Sequence, residues 1–519
     1  MARVAQSRDN ARMPVRRSSL ARVALGCVLL LAVSLLPAFA RAQPTESQRS
    51  ALTGYWKGQL ECAGSRSWFA IEFVAADSGR MNARMTLPAI RGYDFDLGPA
   101  RLAHDSVFAG PFSFAWDAAR GHLRGVLPRA VVPVHELAVD LVRGDPLARE
   151  PRAPFTAPVR SPAWTFDAGA PLWADLEAGS GLVYAGGDDG VLHALDARSG
   201  RERWRFRTGG RLRARPALVA SSLYVQSDDG WLYRLDANRG TRRWRVRVMP
   251  DSVVRVPIDQ PGSRYDFYAS AVTAANGSLF VGTHAGRVLA LDPATGETLW
   301  EATTGGPVLS APGVAGGRVF VGSYDGRVYA FDAFDGHALW THDTGAPVTS
   351  TPVPEQGVVV VGSRSYDLFG LDAASGDVRW AHYIWFSWIE SSARVENGVA
   401  YVGSSDASRI YALDAKNGVL HWESDVHGIS WGRPALAADR VYVAVRFSPS
   451  IETHEANLIA LDRATGEPVW RYPCDRPAGA THRGFAASPV VYRSRVFVGG
   501  LDGKVYAFPV RDPRPRARR

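Results

Sequence analysis

Eight tryptophans recur along this chain: Trp164, Trp204, Trp244, Trp300, Trp340, Trp380, Trp422 and Trp470. Four of the intervals are 40 residues, and the others are 42, 48 and 56. From Trp204 onward each tryptophan ends the same phrase. Residues 319–340, VFVGSYDGRVYAFDAFDGHALW, show it: a β-rich run, an Asp-Gly turn, a second β-rich run, an Asp-x-x-x-Gly turn, then Trp. A repeat near 40 residues built only of strands and tight turns specifies a β-propeller. Propellers serve many functions, so the architecture alone names none.

Each part of the phrase has a physical reading. The glycine of the first turn tolerates the positive φ that a hairpin demands. The second turn reads DARSG, DANRG, DPATG, DAFDG, DAASG, DAKNG and DRATG in blades one to seven. Its Asp accepts from the turn's N–H groups and its Gly closes the turn. The Trp buries a large ring where neighbouring blades meet. Seven complete repeats end at Trp204 through Trp470. An eighth, VFVGGLDGKVYAF (496–508), has no Trp after it, while Trp164-Thr-Phe-Asp has a Trp strand and no blade of its own. The N-terminal strand should therefore complete the last blade and remove the open edges. The expected fold is all-β: an eight-bladed propeller over 161–509, preceded by a small antiparallel β domain.

That domain spans 50–145. GYWKGQLE, SWFAIEFV, GRMNARMTLPAI, FAGPFSFAWD, GHLRGVLP and HELAVDLVR read as six short strands of a small sheet or barrel. The opening Gly54-Tyr-Trp56-Lys-Gly58 resembles the start of lipocalin-like modules. Residues 146–160, with prolines at 146, 151, 154 and 158, read as an extended linker. Residues 1–42 read as an export signal: Arg16 and Arg17, an apolar stretch Val23–Leu36, and Ala40-Arg41-Ala42 as the cleavage site. The stretch is too short for a confident membrane span. Cleavage near Ala42 would leave a periplasmic or secreted chain without a transmembrane anchor. Arg16-Arg17-Ser-Ser-Leu20 leaves Sec and twin-arginine export both open. Cys27 sits inside the apolar stretch, a poor place for a lipid acceptor.

The formal charge of +9 divides unevenly. Residues 1–42 carry +6 and the tail 511–519 carries +4, so the body is near −1. With the charge placed in the termini, no nucleic-acid partner is expected, and 510–519 reads as a solvated basic tail. Cys62 and Cys474 are the only thiols after residue 42. Export would expose them to oxidation, and the sequence leaves their pairing open. No CxxCH haem site or Cys-His zinc spacing is present, and His382, His421, His427, His454 and His482 have no ligand spacing.

The pattern VYVGS-DG-LYALDA-TG-W followed by a TGG-V-SSP-like segment, here Val319–Trp340 and, after Trp300, Thr304-Gly-Gly-Pro-Val-Leu-Ser-Ala-Pro312, among others, resembles the PQQ-type (quinoprotein) propeller repeat over 161–509. The resemblance implies two branches. One contains PQQ-dependent alcohol dehydrogenases, which carry an adjacent Cys-Cys disulfide beside the quinone; no adjacent pair exists here. Calcium beside a quinone needs oxygen ligands, and Glu390 and Asp266 are isolated candidates. Neither PQQ nor calcium is therefore expected. The other branch contains non-enzymatic propellers such as the BamB lipoprotein of outer-membrane assembly, from which this chain departs by its extra N-terminal domain and missing lipobox.

Repeat lengths point to a site. Insertions at 247–268, 446–457 and 473–484 lengthen connections that all emerge on one face of the propeller, and loops on a rigid scaffold are where binding usually resides. The same face gathers Arg213, Arg215, Tyr265–Tyr268, Trp385–Glu390, Trp431, Arg433 and His482–Phe485 near the starts of inner strands. The expected partner-binding residues are Arg215, Tyr268, Trp388, Glu390, Trp431, Arg433 and Arg483, with no catalytic or metal-binding residue assigned. The leading expectation is an exported binding or assembly scaffold for an envelope protein, peptide or small ligand. The alternatives are a quinoprotein oxidoreductase of alcohol-dehydrogenase type and a carbohydrate-binding accessory protein.

Overall fold

The tryptophan repeat sets the blade spacing in space as it does in sequence. The computed structural model describes residues 45–76, 80–129, 131–249, 253, 267–447, 454–474 and 483–510. The expected export signal, the tail 511–519, Tyr265, Asp266, His482 and most of the three insertions lie outside these residues. Eight four-stranded antiparallel sheets follow one another. Seven are sequential, beginning at Glu177, Ala217, Thr273, Gly313, Val353, Arg394 and Ala435. The eighth joins Val490–Tyr492, Arg495–Gly499 and Lys504–Pro509 to the N-terminal strand Trp164–Asp167. Trp164 pairs with Ala507 and Asp167 with Lys504, so the ring closes as the orphan Trp strand requires.

Trp and Gly of successive repeats act together. Each indole from Trp164 to Trp422 lies on the Asp-x-x-x-Gly turn of the next blade, while Trp470 packs against Phe508 of blade 8. Trp204 Nε1 donates to Ala237 O at 3.1 Å and Trp300 Nε1 to Ala333 O at 3.1 Å. A Cβ on Gly240 would lie 2.5 Å from the Trp204 ring. That glycine thus answers two demands: a φ of 70° and a face flat enough for the preceding blade's tryptophan.

Residues 54–143 form a closed eight-stranded barrel with strands in sequential order. Two strands beyond the expected six are present. Gly92–Ala103 is one strand, and the FAGPFSFAWD run divides into Ser106–Ala109 and Phe112–Asp117. The first was hidden by Gly98-Pro99, residues that weaken a strand reading. Here they sit at a register shift opposite Ala83, and Pro99 pairs with Asn82. Phe69, Phe73, Phe112, Phe114 and Trp56 fill the interior. Helix α1 (Glu46–Leu52), capped by a Thr45–Gln48 box, buries Leu52, whose carbonyl accepts from Trp56 Nε1 at 2.8 Å.

The barrel docks on blade 5, and its core is continuous with Tyr366, Tyr383 and Phe386 of the propeller. Tyr366 OH donates to Val131 O at 2.7 Å, Trp385 Nε1 to Ser65 Oγ at 2.8 Å, and His135 Nε2 lies 3.0 Å from Asp367. Gly345 comes so close that a Cβ there would lie 2.4 Å from Val134. These residues belong to the middle-strand turn of blade 5 and to the connections on either side of it, which places the barrel on the insertion-bearing face. The linker is fixed as well: Arg152 and Arg91 both pair with Asp425 of blade 6, and Val159 bridges to Arg471 of blade 7. Cys62 and Cys474 are both buried and are not joined by a disulfide, Cys62 lying in the barrel core and Cys474 between blades 7 and 8. No helix among the described residues is long and apolar enough to cross a membrane.

Candidate functional site

A cavity of about 430 Å³ lies on the propeller axis and is lined by all eight blades. Its walls follow from strand alternation, which turns every second side chain to one face. Two residues before each inner strand, one side chain per blade reaches the axis. This tier holds Asp175, Arg215, Ala271, Ala311, Thr351, Ser392, Arg433 and Ser488. Most of its polar members knit blades together. Thr351 N donates to Ser392 Oγ at 2.9 Å, Arg433 N to Ser488 Oγ at 2.7 Å, and Ser488 N to Asp175 Oδ1 at 2.6 Å.

Of the two arginines of this tier, Arg215 ties blade 2 to blade 1 through its side chain. Arg215 Nη1 pairs with Glu177 Oε2 at 2.9 Å. Burial pushes the Glu177 carboxyl above its usual range, against the pull of Arg215. The Arg433 Nε is buried with no hydrogen-bond partner among the described residues. Burial, then the nearby Arg394 and Arg215 charges, push its guanidinium down to about 10, with Asp175 acting weakly in the opposite direction. Arg394, on the tier below, keeps only a long contact of 3.7 Å to Glu396. Three guanidinium groups thus share one wall system.

Toward the insertion-bearing end, aromatic rings crowd the axis. Trp173 and Phe267 stack at 4.4 Å, and Phe267 lies 6.3 Å from Trp431. All three are under a tenth exposed. Arg446 covers Trp431 at 3.9 Å, and Arg213 lies over Trp173 at 5.1 Å while clamping Asp188 with two nitrogens at 2.5 and 2.6 Å. The described flanks of the insertions meet here. Val253 N donates to Asp228 O, Arg446 bridges to both Ile429 and Gly484, and Cys474 N donates to Ala456 O.

Five of the seven expected residues line the cavity: Arg215, Tyr268, Glu390, Trp431 and Arg433. Tyr268 OH is committed to Ala486 O at 3.0 Å. Glu390 has both oxygens occupied, by Arg364 Nε and by Thr349 Oγ1. Trp388 and Arg483 lie outside the lining. Trp388 sits beneath the Arg364 guanidinium at 4.6 Å, and Arg483 lies over Phe447 at 4.1 Å. The Trp385–Glu390 run divides between two tasks, Trp385 facing the barrel and Glu390 the channel. Asp175 and Arg394 are lining residues that sequence reading missed. Comparing the eight inner-strand starts position by position exposes both.

Asp406, in the middle-strand turn of blade 6, is pushed up to about 6 by burial, against the pull of Arg446. A carboxyl raised in the folded state favours folding while protonated. The contribution is present below the usual carboxylate range and lost as pH rises through about 6. Asp406→Asn should therefore flatten the stability profile in that window, most simply seen as thermal midpoints that stop falling between pH 4 and 6 (roughly the two pKa values). A profile identical to wild type would place the titration elsewhere.

Fold and site together define an eight-bladed propeller of PQQ-like repeats with an arginine-bearing axial cavity. A family model described as outer membrane protein assembly factor BamB matches residues 155–265, 258–387 and 406–516, and the chain belongs to that family. No curated protein matches it. Among solved structures, BamB from Moraxella catarrhalis is 17% identical with a TM-score of 0.52, covering 67% of this chain and 99% of its own. The quinohemoprotein alcohol dehydrogenase from Comamonas testosteroni is 16% identical with a TM-score of 0.51, covering 69% and 78%. The computationally designed Ika8 protein is 15% identical with a TM-score of 0.54, covering 66% and 97%. These likenesses concern the fold.

Proposed function

We infer that this chain is an exported binding scaffold of the cell envelope that engages a protein or peptide partner through one face of the propeller, with an acidic group of the partner entering the axial channel beside Arg433. The observation that carries this reading is the Arg433 guanidinium itself, half-buried in the wall with a buried, unpartnered Nε and repelled by Arg394 and Arg215. A buried cation without a carboxylate costs folding free energy, and a carboxylate ligand would relieve it. Membership of a family described by outer-membrane assembly supports the envelope setting. A calcium–quinone site has no place in the reading. Glu390 already serves Arg364 and Thr349, and the two cysteines lie in separate cores.

The test is affinity capture from native envelope extract, comparing wild type, Arg433→Met and the opposite-face control Asn417→Ala. Loss of a recurrent partner in Arg433→Met alone is the expected result, with binding weaker by about 2 kcal/mol or more, as for a hot-spot arginine. Equal capture by all three would remove the channel from the reading. An absorption spectrum of the purified protein showing a bound quinone, with dye-linked alcohol oxidation, would replace the scaffold by an oxidoreductase.

A further inference from the structure

The outer strands of the propeller differ in one respect that folding does not require. In each, side chains flanking the Trp on the exposed side occupy equivalent places. Blade 1 has Arg203, Arg205 and Arg207 there, and blade 2 has Arg243, Arg245 and Arg247, all exposed. Blade 3 has Leu299, Glu301 and Thr303, and blade 4 has Leu339, Thr341 and Asp343. Six arginines therefore stand where blades 3 and 4 fold with none and blades 5 and 7 with one each, Arg379 and Arg471.

The turns extend the patch at both ends. Arg198, Arg201, Arg239 and Arg242 lie at one end of these strands and Arg211 at the other, all exposed and without an ion pair among the described residues. Residues 196–247 contain 14 arginines, no lysine and five acidic residues, a net +9. The body 43–510 is −1, so the rest of it carries −10. Acidic neighbours offset part of the belt: Arg203 pairs with Asp196 and Arg243 with Asp236, both at 2.7 Å, and Arg205 pairs with Glu202 at 2.9 Å.

Shape selects the partner. A six-residue outer strand is about 20 Å long, and two neighbouring blades set such rows side by side. The charges form a two-dimensional array on a convex edge. A single strand of nucleic acid is gripped by a basic groove with exposed aromatic faces. Here Trp204 donates its Nε1 to the next blade and Trp231 is covered by Arg245 at 4.2 Å. No large apolar side chain of these two outer strands is exposed enough to insert into hydrocarbon. We propose that the outer edge of blades 1 and 2 is an electrostatic docking surface for an anionic bilayer, its guanidinium groups holding headgroup phosphates. In a ring of eight, blade 5 lies opposite blade 1. The docked protein stands on edge, with the barrel on the far side from the bilayer.

The probe is co-sedimentation of the full chain, export signal removed, with vesicles of phosphatidylcholine alone or mixed with phosphatidylglycerol. The variant Arg201→Gln/Arg211→Gln/Arg239→Gln/Arg242→Gln removes four arginines that hold no ion pair. At about fivefold per arginine near a charged surface, it should bind mixed vesicles at least about a hundredfold more weakly, with an unchanged thermal midpoint. Neither protein should bind phosphatidylcholine alone. A second variant, Arg514→Gln/Arg516→Gln/Arg518→Gln/Arg519→Gln, separates the tail. Binding lost only in the tail variant overturns the proposal. So does binding to duplex DNA that exceeds vesicle binding at matched salt and falls with the same four arginines, since that result makes the belt a nucleic-acid surface.

Discussion

Changing Trp164 and Phe166 together to Ala is expected to cost this propeller about 4 kcal/mol, taking half of the full-burial penalty for each partly buried ring. The strand Trp164–Asp167 locks the first residues of the propeller onto its last blade through a ladder of backbone hydrogen bonds. It supplies the outer ladder to Lys504–Ala507. The Trp164 ring lies against Gly200, where a Cβ would be 2.6 Å away, and Phe166 packs against His193 at 5.3 Å. Without these contacts the strand detaches, and Lys504–Pro509 becomes an open edge beside Val505 and Ala507. Because blade 8 contacts both blade 7 and blade 1, the loss spreads around the ring. Urea unfolding should show a lower midpoint. A midpoint equal to wild type would mean that the eighth blade is held by other contacts.

The fold was legible because a repeat states its own geometry. The missing eighth Trp and the orphan Trp strand told where the ring closes. The barrel was less legible, since Gly98-Pro99 lies inside a strand and is tolerated only because the register shifts there. The site was legible in part for a related reason. Arg215 and Arg433 fall at the same place in their repeats, and that place faces the axis in every blade. What those side chains do there depends on three-dimensional neighbours such as Arg394 that no local spacing displays. Averaging the charge hid its distribution. A body near −1 conceals a block of +9 set against −10 elsewhere, and only alignment of the outer strands shows that the block is one continuous edge.

Tyr366→Gly should loosen the barrel while relaxing the propeller. The middle-strand turns of blades 1 to 4 and 8 place Gly190, Gly230, Gly286, Gly326 and Gly503 at positive φ. Blade 5 places Tyr366 at that position, with φ 75°. A left-handed conformation costs a side-chain-bearing residue about 1 kcal/mol. The repeat itself never asks for a tyrosine here. The strain is offset across the domain boundary, where the ring is 5% exposed in the barrel's core and its hydroxyl reaches Val131 O. Glycine restores the turn and removes the anchor, about 3 kcal/mol of aromatic packing. The remaining contacts, among them His135 with Asp367, Trp385 with Ser65, and Tyr383 and Phe386 in the shared core, then hold the docked state less firmly. Hydrogen exchange should therefore rise across 131–135 and at Ser65, while the blade 5 strands Val358–Gly362 and Asp367–Asp372 keep their protection. If exchange at 131–135 is unchanged and the protein only becomes more stable, Tyr366 is a strained turn residue and the barrel is held by the other contacts.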